Sequence, residues 1–283
     1  MTPSLASART LLFVPGDRPE RIAKALQSGA DAVIIDLEDA VRPQNRAAAR
    51  EVVCHLPAAT SLVLVRVNEL GSQDFAADVA AALEGGAAGI VVPKFVPGQA
   101  QQLDAALTRI EAGRGAEPLP VIGLIESAAG VLGLSVPVAF PARMVRLAFG
   151  AVDLHADLRA AYREHGIHAH LAMAAIVLAS AAAGLAAPLD SPHLTLDDDA
   201  GLDAAVLSAK ELGFGGKLCI HPKQLAAVQA GFAMSAAEVA RAQRVLDAWS
   251  RASDGAIRVD GELVDEAMVR RARQVVDEQL RVP

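Results

Sequence analysis

The sequence predicts an α/β protein: a (β/α)8 TIM barrel followed by a C-terminal helical extension. Three observations carry this expectation. Eight short apolar runs alternate with longer helical patterns, the rhythm of βα units feeding a parallel sheet. The runs are near-continuous in Val, Ile and Leu, as strands buried on both faces should be. The rhythm then stops, so the barrel is expected over residues 1–231 and an extension over 232–283. Eight strands close such a barrel, and no run is followed by the Gly-rich fingerprint of an open dinucleotide-binding sheet.

Composition narrows the classes further. The 283 residues are 53% hydrophobic but only 3% aromatic, so an aliphatic core of ample size is expected. A formal net charge of -7 argues against a nucleic-acid partner, although a local Arg and Lys cluster can still bind a phosphate-bearing ligand. Cys54 and Cys219 make no metal or redox spacing and read as reduced, buried small hydrophobes. No secretory leader is visible, and the alanine-rich 171–187 stretch reads as a packed helix. A cytoplasmic protein without a membrane partner is expected.

The first run, residues 11–14, leads into Pro15-Gly16-Asp17-Arg18-Pro19-Glu20-Arg21. Asp17 and Glu20 predict a capped helix running to about Gln27, with Pro19 tolerated in its first turn. Arg18, Arg21 and Lys24 at that helix start are candidates for binding phosphate, with a plain capped turn as the alternative. The second run, 32–37, ends in Asp36, Glu38 and Asp39, three carboxylates that repel unless a cation or a partner such as Arg42 or Arg66 offsets them. The third run, 62–67, carries Arg66 among aliphatics, where an unpaired guanidinium is costly to bury. The fourth run, 89–92, is followed by Lys94, an expected ion-pair partner on the same rim.

The fifth and sixth runs, 121–125 and 144–149, lead to Glu126 and Asp153. Two carboxylates at consecutive strand ends suit a hard divalent cation such as Mg²⁺, and capping of the following helices is the alternative. Downstream, His155, His165, His168 and His170 lack the spacing of a zinc helix and are expected in a solvated segment. The seventh run, 186–189, is short and Ala-rich; the eighth, 217–220, ends at His221. His221 suits an acid/base, a substrate donor or a satisfied structural histidine, and Lys217 and Lys223 suit a phosphate-binding edge.

In the extension, Ser235 and Glu238 form a capping-box signal for a helix whose face is Val239, Ala242, Leu246 and Trp249. A hairpin turning at Asp260-Gly261 follows, and Asp265 opens a last helix to about Leu280. Such a tail needs a surface to cover, and a neighbouring subunit is the simplest one.

These residues fall into seven motifs that run in family order from near residue 9 to near residue 276. They are Leu12-Phe13-Val14-Pro15-Gly16-Asp17, Asp36-Leu37-Glu38-Asp39-Ala40, Arg66-Val67-Asn68, Ile125-Glu126-Ser127-Ala128-Ala129-Gly130, Gly150-Ala151-Val152-Asp153-Leu154, Gly216-Lys217-Leu218-Cys219-Ile220-His221-Pro222 and Leu263-Val264-Asp265. Together the chain resembles the citrate lyase β-subunit-like branch of the HpcH/HpaI aldolase family, acyl-CoA lyases that include malyl-CoA and citramalyl-CoA lyases.

The resemblance implies a Mg²⁺ cofactor bound through Glu126 and Asp153, with Glu38 and Asp39 behind them. It implies that Arg66 contacts the substrate oxyanion and that Asp265 arrives from an adjacent subunit as acid/base, in a homotrimer or hexamer. A CoA thioester and a 2-oxo acid become the expected ligands, with Arg18, Arg21, Lys217 and His221 as candidate binders. The reaction implied is cleavage or formation of a 3-hydroxyacyl-CoA; a malyl-CoA-type thioesterase and a non-catalytic CoA-thioester-binding subunit are the alternatives. Two departures bear on substrate choice: residues 171–181 lack an Arg common in relatives, and Val152 stands where many carry a polar residue.

Overall fold

The computed structural model describes residues 4–57, 60–136, 139–164, 166–252 and 255–280. Eight parallel strands close into a barrel in sequence order, β1 (Thr10–Pro15), β2 (Ala32–Asp36), β3 (Leu62–Arg66), β4 (Gly89–Val92), β5 (Val121–Ile125), β6 (Met144–Phe149), β7 (Leu189–Asp190) and β8 (Gly216–Cys219). β8 pairs back onto β1, so the barrel itself has no edge strand. Around them lie α1 (Pro19–Leu26), α2 (Arg46–Cys54), α3 (Phe75–Glu84), α4 (Ala100–Ala112), α5 (Ala128–Gly133), α6 (Ala151–Asp157), α7 (Ile167–Ala182), α8 (Asp199–Leu212) and α9 (Leu225–Phe232).

Two-residue alternation along the strands sorts the core into two layers. Leu11, Ile34, Leu64, Val91, Ile122, Leu124, Ala148 and Leu218 fill the barrel interior. Their neighbours Leu12, Val33, Ile35, Val65, Leu147 and Cys219 join the larger apolar layer that includes the helices. At the amino ends of the strands Arg146 is fully buried, its guanidinium donating to the carbonyls of Ala187, Leu5 and Ala8. Burial lowers its pKa to about 9.

Several local expectations change. The seventh strand is only Leu189–Asp190, not 186–189, because Pro188 has no N–H for a ladder and just three residue pairings hold it. Asp17 does not cap α1: Arg18 occupies the N-cap position without a side-chain bond, and Asp17 accepts from Asn45 Nδ2 at 2.9 Å. Cys219 is buried, with its thiol pushed up to about 12 by desolvation, whereas Cys54 is only partly buried.

The described residues from Ala233 onward form a second compact unit. α10 (Ala236–Ser250) starts at the expected capping box, with Ser235 Oγ accepting from Glu238 N and Glu238 Oε2 accepting from Ser235 N. β9 (Ala256–Val259) and β10 (Glu262–Asp265) make the hairpin, with Asp260 and Gly261 at positive φ in its turn. α11 (Glu266–Leu280) follows, capped by Asp265 Oδ1, which accepts from Ala267 N at 3.0 Å and Met268 N at 3.2 Å. Val245, Val264, Val269 and Val275 form this unit's own core.

Candidate active site

The carboxyl ends of β2 to β6 bring the rim residues together. Asp36 and Arg66 are register partners on adjacent strands and both side chains follow inward-facing positions. Arg66 Nε donates to Asp36 Oδ1 at 2.7 Å, and Nη2 pairs with Oδ2, so the guanidinium fork closes on one carboxylate. Nη1 lies 3.1 Å from Glu38 Oε2 and 3.9 Å from Asp39 Oδ2, and the cation sits 5.0 Å over the Phe13 ring. Burial opposes the charge on Arg66, but the bond to Asp36 and the three carboxylates outweigh it and raise its pKa. Of the two arginines, Arg66 is therefore the one that pairs with the acids after β2 in the described contacts.

Lys94 adds the second clamp. Its backbone lies in the left-handed region at φ 48, a strained conformation for a residue with a Cβ. There its N–H donates to Glu126 Oε1 at 2.7 Å while its ammonium donates to Glu38 Oε1 at 2.6 Å. One residue thus fixes two of the rim carboxylates. Among the described contacts, Glu38 Oε2 is buried without a well-directed hydrogen bond, although Arg66 stands beside it.

Glu126 is 3% exposed and its pKa is raised to about 8, by burial first and by the charge of Asp153, against the pull of the Lys94 N–H. It does not cap α5: Ser127 does, its Oγ accepting from Gly130 N at 3.0 Å. Glu126 Oε2 instead packs against Gly150, where a Cβ would come within 2.6 Å. Asp153 lies in the first turn of α6, half-buried, with its pKa also raised by burial and by Asp39. Arg66 and Lys94 act on Asp153 electrostatically and Arg66 acts on Glu126, so all four share one field.

This donor set fits Mg²⁺. Two carboxylates whose ionised forms are disfavoured by burial, with Glu38 Oε2 nearby facing the Arg66 charge but without a hydrogen bond, form a site where a bound cation would stabilise the ionised state. Mg²⁺ usually keeps several waters and needs only one or two protein carboxylates, a number that Glu126 and Asp153 supply.

The other expected residues separate into groups. Arg18 and Arg21 line a cavity of about 580 Å³ together with Arg42, Gln44 and Asn45, between the chain segments that follow β1 and β2. Arg42 was visible in the sequence only as a possible partner for the acids; the Arg42-Pro43 turn that aims it into this cavity was the signal. Lys217 is a correction. It is 1% exposed and points away from the barrel interior, with Nζ 2.5 Å from Asp190 and 3.2 Å from Glu164. A buried ammonium held by two carboxylates is an internal ion pair and leaves no phosphate edge there.

His221 caps the short 3-10 turn Pro222–Gln224, accepting from Lys223 N at 3.2 Å through Nδ1, which leaves Nε2 to carry the proton of the neutral ring. Lys223 pairs with Asp197 on the surface. Asp265 is exposed on its own unit, with Oδ1 engaged in capping. Of the histidines after Asp153, His155 is buried and packs edge-on to Tyr162 and His168, contrary to a fully solvated segment. His165 lies outside the described residues.

Comparison with known proteins places the chain in a family. The sequence model of the HpcH/HpaI aldolase/citrate lyase family matches residues 9–222. The chain is 35% identical to a citrate lyase subunit beta-like protein of Deinococcus radiodurans, over 97% of this chain and 98% of that one. It is 34% identical to an L-malyl-CoA/beta-methylmalyl-CoA lyase of Rhodobacter capsulatus, covering 95% of this chain and 93% of the relative. Among solved structures, protein CitE of Mycobacterium tuberculosis, in complex with magnesium, acetoacetate and coenzyme A, superposes with a TM-score of 0.79 at 33% identity, covering 97% of this chain and 99% of that one.

Proposed function

This chain belongs to the HpcH/HpaI aldolase/citrate lyase family, a family of lyase-type enzymes, and from that premise we propose that it is a Mg²⁺-dependent carbon–carbon lyase acting on a 3-hydroxyacyl-CoA thioester. The products are a 2-oxo acid (pyruvate, glyoxylate or oxaloacetate) and an acyl-CoA, and the same site runs the condensation in reverse. The observation that carries this reading is the pairing of Glu126 and Asp153 on consecutive strand ends with a fork-held Arg66 in the same field.

Glu126 and Asp153 would hold the Mg²⁺, which when bound supplies Lewis acidity to the carboxylate and carbonyl of the oxo-acid half. In cleavage the Asp265 carboxylate takes the hydroxyl proton, that C–O bond becomes a carbonyl, and the C–C bond breaks with its electron pair left on the thioester as an enolate. Arg66 stabilises the enolate oxygen, and Asp36 and Glu38 hold its guanidinium so that no reorganisation is needed as charge develops. Asp265, brought by a neighbouring copy in a homotrimer or hexamer, delivers the proton to the acyl carbon; Oδ2 remains outside its capping bonds. Arg18, Arg21 and Arg42 receive the CoA phosphates in the arginine-lined cavity. His221 Nε2–H is a donor for the same ligand.

The test is to incubate the protein with Mg²⁺ and a panel of 3-hydroxydicarboxylyl-CoA thioesters while following 2-oxo acid and free thiol separately. Oxo acid without free CoA is the expected result and names the substrate. Stoichiometric free CoA would move the reading to a thioesterase, and CoA binding without turnover to a non-catalytic subunit.

A further inference from the structure

Gly150 faces two incompatible demands. It must lack a side chain, because a Cβ there would meet Glu126 Cβ at 2.5 Å and Oε2 at 2.6 Å. Yet it occupies the N-cap position of α6, where a Ser, Thr, Asp or Asn side chain would ordinarily satisfy the first N–H groups. Its own N–H is used in pairing to Ile125 O at 2.9 Å, so the glycine serves the sheet and the carboxylate but leaves the helix start uncapped.

The missing cap comes from another strand. Ser191, 1% exposed and directly after β7, places Oγ 3.1 Å from the N–H of Ala151, the first residue of α6. From the other side, His155 Nδ1 donates to Ala151 O at 2.7 Å. Ala151 is thus pinned at both its N–H and its carbonyl, two residues before Asp153. β7 cannot place Ser191 by its ladder alone, since it contains only Leu189 and Asp190. Asp190 supplies the anchor through its buried pair with Lys217 on β8.

We infer that Ser191 is a positioning residue for Asp153, acting as a helix cap in trans from β7 so that Gly150 can stay bare for Glu126. The inference rests on Glu126 and Asp153 being the Mg²⁺ ligands. In this arrangement Asp190 and Lys217 set the strand end, Ser191 sets the first peptide of α6, and α6 sets the Asp153 carboxylate relative to Glu126.

Mn²⁺ binding to the full-length protein, read by electron paramagnetic resonance without substrate, tests it. Ser191→Ala should weaken Mn²⁺ affinity about fivefold, the size expected for a lost cap, while Ser191→Thr, which keeps the hydroxyl acceptor, should restore it. A folded Ser191→Ala protein with parental Mn²⁺ affinity would overturn the inference, even if its thermal midpoint fell, because that is what a merely structural serine gives. If Ser191→Ala does not fold, Ser191→Cys retains the volume with a weak acceptor; parental affinity in that variant overturns the inference equally, and weakened affinity supports it. Asp153→Asn separates the two levels: if it leaves Mn²⁺ binding unchanged, the metal-ligand reading fails and takes this inference with it. If Asp153→Asn abolishes binding and Ser191→Ala does not alter it, the inference alone fails.

Discussion

Glu126 and Gly150 are fitted to each other: a methyl group on Gly150 would stand 2.6 Å from the Glu126 Oε2 and 2.5 Å from its Cβ. Relief requires either Glu126 or the start of α6 to move. Gly150→Ala is therefore expected to cost about 1–3 kcal/mol of stability from overpacking. It should also weaken Mn²⁺ binding about 10- to 100-fold, the scale seen when support of a metal ligand is disturbed. Urea unfolding and Mn²⁺ titration measure the two effects; a destabilised protein with intact metal affinity would separate Gly150 from the site.

Glu126 also makes the metal-free protein sensitive to pH in a definite direction. Its pKa rises from 4.5 to about 8 on folding because of burial. Below 4.5 both states hold the proton; between 4.5 and 8 the unfolded chain releases it while the folded protein retains it. Stability is thus lost as pH rises through that window. Glu126→Gln removes this contribution, so in a chelator the variant's thermal midpoint should gain on the parent's from pH 4.5 to 8 and then hold level. A gap independent of pH would show that Glu126 is not the buried acid described here.

Arg66→Lys keeps the charge but loses the fork that closes on Asp36. A lysine ammonium cannot hold both Asp36 oxygens and still address the substrate. With folding retained, kcat is expected to fall about 10²–10³-fold, the loss typical of one oxyanion donor. Circular dichroism checks the fold and steady-state kinetics the split; a change confined to KM would reassign Arg66 to ground-state binding.

The barrel was legible because its strands are buried on both faces and so appear as unbroken apolar runs, as in Ala32–Asp36 and Val121–Ile125. Leu189–Asp190 was blurred because an ion pair fixes its end, and pairing between Asp190 and Lys217 leaves no periodicity to read. Glu126 and Asp153 were visible as acids closing apolar strands. The Lys94 backbone contact to Glu126 was not, since a left-handed residue with a Cβ follows from surrounding packing rather than from its own propensity. Lys217 misled for a related reason. A lysine beside a rim motif reads as exposed charge until the carboxylates that bury it, Asp190 and Glu164, are located in space.

The arginine-lined cavity makes a separable claim about binding. Arg18, Arg21 and Arg42 are all exposed, and of them only Arg18 has a described ion-pair partner, Asp17 at 3.6 Å. Replacing Arg21 and Arg42 by Ala should raise KM for the CoA thioester about tenfold, the scale of one charge-assisted hydrogen bond. With saturating substrate kcat should stay near the parental value, because neither residue reaches the rim carboxylates in the described contacts. The parental KM should itself rise with salt, and the double variant should lose most of that dependence. Equal salt slopes would place the phosphates elsewhere.

The role proposed for Asp265 requires that two copies build one site. Its Oδ1 is occupied by the N–H groups of Ala267 and Met268, so the second oxygen is the one available for proton transfer. Asp265→Asn preserves the capping acceptor while removing the acid, and should abolish turnover without unfolding α11. Glu126→Gln should be inactive for a different reason, the loss of a proposed metal ligand. If the acid/base is supplied from a neighbouring copy, mixing the two inactive variants under conditions that exchange subunits creates sites with an intact Glu126 from one copy and an intact Asp265 from another. Activity should then return to a fraction set by the mixing ratio, with either variant alone remaining silent. A mixture that exchanges subunits, as seen by mass, yet stays inactive at every ratio would place Asp265 in the site of its own chain or outside the chemistry altogether.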